Sequence, residues 1–166
     1  QLALVASFTG LFGGGVAGVE YLPELHCLAS DAGRRAPEVV AQLPAIAGKS
    51  LPSASFTFGD IYSDADAAIA GADVVFCYAT CLEVDEAGTL AKLTAALARS
   101  ARPDCCVISV NRPLSAGMGF RQVGALRGPN PENADGMLST AYISTFEGRA
   151  GVAGSGAGDD AGGGAS

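Results

Sequence analysis

The sequence has few basic residues and no long apolar run. Lysine and arginine total 10 against 17 aspartates and glutamates, which gives a formal net charge of -7 and a pI near 4.5. Tight, autonomous binding of nucleic acid depends on Lys and Arg contacts to phosphate, so this charge balance argues against it. No apolar run approaches the roughly 18 residues of a membrane span. We therefore expect neither autonomous nucleic-acid binding nor a transmembrane segment.

The N-terminal sequence lacks the basic leader of a secretory signal peptide, and it does not begin with Met. The missing Met suggests that the true start lies further upstream. The chain has 5 cysteines, and an odd number without a secretory signal favours reduced intracellular thiols. We accordingly expect an intracellular protein.

A recognisable metal-binding pattern is also missing. Cys77 and Cys81, with His26 as a third ligand, are the candidates for a metal site, but their spacing fits no familiar zinc pattern. Cys77 lies inside the apolar run ADVVFCY, where a small buried side chain is expected. We favour the core interpretation of Cys77 over the metal site, and we expect His26, the only histidine, to be a structural residue of a helix.

At 166 residues with 49% hydrophobic residues, the chain is long enough for one domain with a sizeable core. Residues 148–166 contain 8 glycines and no apolar period, so we predict a flexible tail there and a folded domain over residues 1–147.

Within that domain, helical and strand patterns alternate. Helical composition or periodicity is present over residues 1–8, 22–43 and 85–103, with a break predicted at Pro37 and acids at the start of the last helix. Strand patterns cover residues 16–20, 54–60, 72–79, 105–113, 119–126 and 138–146. The order predicts a mostly parallel α/β sheet with helices on both faces. The last two strands, with no convincing helix between them, predict an antiparallel hairpin at one edge.

Polar residues follow three of the predicted strands: Glu20, then Gly59 and Asp60, then residues 78–80. In open α/β sheets, ligands bind beyond the carboxyl ends of the strands. Glu20 is placed to accept hydrogen bonds from both hydroxyls of a ribose, and Asp60 from an adenine amine. Solvated carboxylates at strand ends remain the alternative interpretation.

Three stretches, VAGVEYLPELHCLA, FGDIYSDADAAIAGADVVFCYATCL and LARSARPDCCVISVNRPL, resemble the disruptor-of-telomeric-silencing family of lysine methyltransferases. The similarity covers most of residues 16–146. These are class I, S-adenosylmethionine-dependent enzymes that modify a core histone without a SET domain. The resemblance implies a Rossmann-like sheet of mostly parallel strands with a C-terminal antiparallel hairpin, and S-adenosyl-L-methionine as the cofactor.

The resemblance also implies roles for individual residues. The cofactor would contact Glu20, Tyr21, Leu22, Gly59, Asp60, Ile61 and Tyr78, and the lysine channel would be bordered by Thr80, Cys81 and Tyr142. The family often has Phe where this chain has Ile61, and it usually has Asn where this chain has Tyr78. Cross-strand packing is the alternative role of Tyr142. No catalytic side chain is expected, because the acceptor amine attacks the sulfonium methyl directly and catalysis rests on proximity and orientation.

The first strand and the glycine-rich loop of class I methyltransferases have no counterpart in this sequence. LFGGGVAG (residues 11–18) follows a helix and precedes a strand, which is the wrong position for that loop. We therefore expect the chain to be a fragment that binds cofactor weakly or not at all. The partner implied is a protein substrate, with a core histone as one candidate and a nuclear location if that candidate holds. A Rossmann-type NAD-dependent dehydrogenase and a non-catalytic interaction module are the alternatives.

Overall fold

A computed structural model describes residues 2–9, 11–42, 52–129 and 137–148. The elements are, in chain order, α1 (Leu2–Thr9), β1 (Val16–Glu20), α2 (Pro23–Ala41), β2 (Ala54–Phe58), α3 (Asp66–Ala70), β3 (Val74–Tyr78), α4 (Ala91–Ser100), β4 (Cys106–Val110), β5 (Phe120–Pro129) and β6 (Leu138–Phe146). Every predicted strand is present. Most of the predicted tail, residues 149–166, lies outside the described residues.

Strands β1 and β2 form a two-stranded parallel sheet in which Val16 pairs with Ala54 and Glu20 with Phe58. Helix α2 packs on this sheet through Gly33, where an added Cβ would lie 3.0 Å from the Phe56 ring. Helix α1 is joined to the segment before β2, since Ser7 Oγ donates to the Pro52 carbonyl at 2.6 Å. The parallel β1–α2–β2 unit thus agrees with the predicted order.

The predicted break at Pro37 is wrong, because α2 continues through that residue to Ala41. A proline inside a helix loses one backbone hydrogen bond and crowds the carbonyl four residues earlier. Here both flanks of the proline are anchored: Gly33 lies against Phe56, and Val40 is buried. Tertiary packing therefore outweighs the local preference of the chain to end the helix.

We expect Pro37→Ala to stabilise the protein by about 2 kcal/mol. The helix interior would regain about 3 kcal/mol, and the more flexible unfolded chain would offset up to about 1 kcal/mol of it. Urea unfolding followed by circular dichroism measures the difference. Pro103→Ala, in an exposed turn outside any helix, is the matched control. Equal effects of the two substitutions would contradict a continuous α2.

The second sheet has four strands in the order β3, β4, β6, β5. Strands β3 and β4 are parallel, whereas β6 is antiparallel to both β4 and β5. The antiparallel pair of β5 and β6 lies at one edge of this sheet, which confirms the predicted hairpin. A register shift between Gln122 and Gly124 marks a bulge in β5.

The main core lies between the second sheet and helices α3 and α4. Leu90, Leu93 and Leu97 are each 0% exposed, as their helical spacing predicted, and they cluster with Val107 and other buried residues. Helix α4 begins at Ala91, so the prediction that it starts at residue 85 with acids in its first turn is wrong. Asp85 instead accepts hydrogen bonds from Thr89 and closes a turn before the helix.

One face of β3 is open, which corrects the prediction that this strand is covered on both faces. Val74, Phe76 and Tyr78 alternate along the strand and are 41%, 44% and 47% exposed. The reason is that this apolar run packs against the core only through Val75 and Cys77, which lie on the α4 side. Among the described residues, β3 pairs only with β4 and β1 only with β2. The predicted parallel sheet is therefore divided into two.

None of the helices in the described parts of the chain is long and apolar enough to span a membrane.

Candidate functional site

The two predicted acidic residues lie at the neighbouring carboxyl ends of β1 and β2. Glu20 is the last residue of β1, and its carbonyl accepts a hydrogen bond from Gly59 N at 3.1 Å, just past β2. Asp60 follows directly. The parallel register of the two strands therefore brings together the pair that the sequence predicted at adjacent strand ends.

Each of these carboxylates is oriented by the turn that follows it. Glu20 Oε1 accepts from Leu22 N at 2.9 Å, which fixes the carboxylate at the entrance to α2. Asp60 Oδ1 accepts from Tyr62 N at 2.9 Å. A carboxylate has about four acceptor positions, so one backbone hydrogen bond leaves most of its capacity available to a ligand. The two groups remain able to accept hydrogen bonds from ribose hydroxyls and an amine.

Gly59 is required by the close packing of this turn. A Cβ at that position would lie 2.6 Å from the Asp64 Cβ, closer than two carbon atoms can approach. Asp64 also accepts from Asp60 N at 2.8 Å through Oδ2. The glycine thus allows the backbone after β2 to pass close to Asp64 and to present Asp60 at the sheet edge.

The apolar residues predicted for this pocket differ in exposure. Tyr21 and Leu22 are exposed, at 68% and 49%. Ile61 is half-buried and packs against the main core, so only part of its side chain is available to a ligand. The adjacent Tyr62 ring is occupied on one face by the Lys92 ammonium, 4.5 Å from its centroid.

Tyr78, Thr80 and Cys81 lie at the carboxyl end of β3, in the second sheet. All three are exposed, and Thr80 Oγ1 lies 3.9 Å from Cys81 Sγ. The adjacent Ala79 is fully buried and Leu82 packs on the core. Thr80 and Cys81 are therefore exposed between two residues that pack in the core.

The third predicted channel residue, Tyr142, leaves the sheet on the face opposite to Tyr78. Tyr142 pairs with Ser109, which pairs with Cys77, whereas Tyr78 pairs with Val110. Directly paired residues share a face and successive residues alternate. Tyr142 is half-buried on the α4 side, in keeping with the packing role that the sequence left open.

The surroundings of Cys77 and His26 are those of residues with a structural role. Burial is the main cause that raises the Cys77 pKa to about 12, and the neighbouring Cys105 contributes, so the thiol stays protonated at neutral pH. His26 Nε2 lies 3.3 Å from the Phe56 carbonyl, and its ring centroid is 5.7 Å from that of Phe58. Within the described ranges, no cluster of three or more His, Cys, Asp or Glu residues could hold a metal ion.

A hydrogen-bonded group that the sequence analysis missed joins the loops after β3 and β4. Asp85 accepts from Thr89 and Ser115, and these hydrogen bonds, those of the Thr89 side chain foremost, hold the Asp85 pKa below its ordinary value. The sequence does show a glycine at residue 88, a residue type typical of turns, and in the structure Gly88 has a φ of 75°. The participation of Ser115, far along the chain, could not be read from the sequence.

Several solved structures of methyltransferases are similar to this chain in fold. No family model matches the chain, and no curated protein matches it either. Among solved structures, it is similar to an RNA methyltransferase from Salinibacter ruber in complex with S-adenosyl-L-homocysteine, with 22% identity and a TM-score of 0.52 over 88% of this chain and 73% of that one. A SAM-dependent methyltransferase from Methanosarcina mazei is 14% identical, with a TM-score of 0.58 over 82% of this chain and 84% of that one.

A third neighbour, a mutant of the nicotianamine synthase MtNAS in complex with S-adenosylmethionine, is 16% identical, with a TM-score of 0.51 over 87% of this chain and 49% of that one. At these identities the similarity bears on the fold alone. It confirms the predicted class: a mixed α/β chain with the Rossmann-like fold of class I S-adenosylmethionine-dependent methyltransferases.

Proposed function

We propose that this chain forms part of an S-adenosylmethionine-dependent methyltransferase whose methyl acceptor is a lysine side chain of another protein. The observation that carries the cofactor assignment is the adjacency of Glu20 and Asp60, joined through the hydrogen bond from Gly59 N to the Glu20 carbonyl at 3.1 Å. Glu20 would accept from the ribose hydroxyls and Asp60 from the adenine amine. The fold shared with methyltransferases supports the same cofactor.

S-adenosylmethionine supplies an electrophilic methyl group, so the chain needs no nucleophile of its own. Its contribution is to hold the two reactants in line and to exclude water from the acceptor amine, which must be neutral to attack. Thr80 and Cys81, displayed at the carboxyl end of β3, would border the position of the acceptor.

The acceptor assignment has two supports. The stretches GVEYLPELH and ADVVFCYATC resemble a family that methylates histone lysine. The net charge of -7 suits a basic protein segment better than RNA, whose phosphates an acidic surface repels. The Salinibacter ruber neighbour is an RNA methyltransferase, and RNA is therefore the competing candidate for the acceptor.

We expect the affinity for S-adenosylmethionine to be weaker than micromolar. The two residues predicted to shape the pocket beside Glu20, Tyr21 and Leu22, are 68% and 49% exposed, so their side chains must be ordered around the ligand on binding. Ordering a pocket on binding costs free energy, and this cost lowers the affinity for the ligand. Isothermal titration calorimetry tests this expectation, and a micromolar dissociation constant would contradict it.

The function itself is tested with S-adenosylmethionine carrying a tritiated methyl group, at saturating concentration. We expect label in purified core histones and none in histones whose lysines have been chemically acetylated. Label in total RNA instead would overturn the protein acceptor. Binding of NAD in place of S-adenosylmethionine, followed by amide chemical shifts of the labelled chain, would favour the dehydrogenase. Absence of binding to either would favour the interaction module.

A further inference from the structure

The loops that follow β3 and β4 are tied together by three side chains, which we call the Asp85 clasp: Asp85, Thr89 and Ser115. Asp85 Oδ1 accepts from Thr89 N at 2.8 Å, and Asp85 Oδ2 accepts from Thr89 Oγ1 at 2.6 Å and from Ser115 Oγ at 3.3 Å. The Thr89 and Ser115 hydroxyls also contact each other, but each carries one proton, which it donates to Asp85, so this contact is not a third hydrogen bond. One carboxylate thus joins residues from two loops.

The base of the clasp is part of the core. Leu90 N donates to the Pro113 carbonyl at 2.9 Å, which links the same two loops through their backbones. Ser115 N donates to Thr94 Oγ1 at 2.9 Å, and that buried hydroxyl donates to the Leu90 carbonyl at 2.7 Å. Leu90 and Thr94 are both fully buried. The contact between the loops is therefore continuous from the first turn of α4 to the exposed carboxylate.

The clasp lies at the carboxyl end of the second sheet, where Thr80 and Cys81 of the proposed site also lie. Strands β3 and β4 are parallel, so the loops that follow them begin at the same end of the sheet. The loop after β3 carries Thr80 and Cys81 at its start and the Asp85 turn at its end. Leu82, which packs on the core, and two further residues separate the turn from the exposed pair. The clasp and this packing therefore act together on the C-terminal side of the Thr80–Cys81 segment.

We propose that Asp85 is a positioning residue that holds the Thr80–Cys81 segment against the loop after β4, and thereby sets the rim that receives the methyl acceptor. This inference rests on the proposed function. The depressed pKa of Asp85 means that its carboxylate is ionised at neutral pH, and hydrogen bonds to an ionised acceptor are stronger than neutral ones. The clasp is thus formed under the conditions in which the enzyme would act.

The clasp is tested first without any ligand, by hydrogen–deuterium exchange of the whole chain. We expect Asp85→Asn and Thr89→Val to speed amide exchange about tenfold in both loops, because each variant removes a hydrogen bond to a charged group. Thr89→Ser, which keeps the hydroxyl, should exchange like the wild type. Glu83→Gln removes the same charge from the same loop but affects only the pair with Lys92, at 3.6 Å, and serves as the matched control.

The second measurement uses core histones as the acceptor at saturating S-adenosylmethionine. We expect Asp85→Asn and Thr89→Val to raise the acceptor KM about tenfold, the equivalent of one hydrogen bond to a charged group, with kcat and cofactor affinity unchanged. Thr89→Ser should restore the wild-type KM, and Glu83→Gln should leave it unaltered.

The two measurements separate failure of the clasp from failure of the proposed function. Faster exchange confined to the loop after β3, with residues 111–119 unaffected, would overturn the clasp even in an active enzyme. An unchanged acceptor KM, or a matching loss of cofactor affinity, would overturn the positioning role. A wild-type chain that binds no S-adenosylmethionine would overturn the proposed function, and the rim assignment with it.

Discussion

Leu93→Ala is expected to destabilise the protein by about 3 kcal/mol, in the lower half of the range for removing a buried leucine side chain. Leu93 is 0% exposed and lies on α4, in the cluster with Leu90, Leu97 and Val107. The substitution removes apolar surface from the core and leaves a cavity that the surrounding helix and sheet cannot fill completely. Urea unfolding monitored by circular dichroism gives the change in the free energy of unfolding.

Leu126→Ala is the control for that measurement, because it removes the same atoms from a residue of β5 that is 67% exposed. We expect its effect to stay within about 0.5 kcal/mol, as for most surface substitutions. Similar losses in the two variants would show that the core does not lie between α4 and the second sheet.

Glu20→Gln is expected to lower the affinity for S-adenosylmethionine by about tenfold or more. The amide keeps the shape of the side chain but replaces one acceptor oxygen with a donor, so the pair of ribose hydroxyls loses a charge-assisted partner. Because the wild-type affinity is expected to be weak, the measurement is a titration of the isotopically labelled chain with the cofactor, followed through the amide shifts of Gly59 and Asp60.

Glu24→Gln provides the control for the cofactor titration. Glu24 is exposed in the first turn of α2, and this variant changes the net charge by the same amount four residues away. An equal loss of affinity in both variants would indicate a general effect of charge on the binding of a cationic ligand. Loss in Glu20→Gln alone would assign the effect to the carboxylate at the end of β1.

The order and type of most elements could be predicted from the sequence because local patterns specify them. Residues 16–20 and 138–146 were predicted as strands with the bounds that the structure shows. The spacing of Leu90, Leu93 and Leu97 identified the buried face of α4. These predictions depend only on the periodicity of apolar residues within one strand or helix, and that periodicity can be read from the linear sequence.

The predictions that failed involved competition between local preference and distant contacts. Helix α2 continues through Pro37 because Gly33 and Val40 are held by packing. Helix α4 starts at Ala91 because Asp85 hydrogen-bonds to Thr89, which closes a turn before the helix. The apolar run of β3 predicted cover on both faces, but only Val75 and Cys77 pack against the core, and Phe76 on the other face is 44% exposed.

The predictions for the candidate site can be divided in the same way. The sequence by itself determined that Glu20 and Asp60 follow consecutive strands, and consecutive strands joined by a helix commonly lie side by side. The structure shows that β1 and β2 pair in this way, whereas β2 and β3 do not. Only the tertiary structure decided that Tyr78 and Tyr142 leave opposite faces and that Ser115 reaches Asp85. Those relations depend on register and on loop contacts between residues distant in the chain, and no local pattern of residues encodes them.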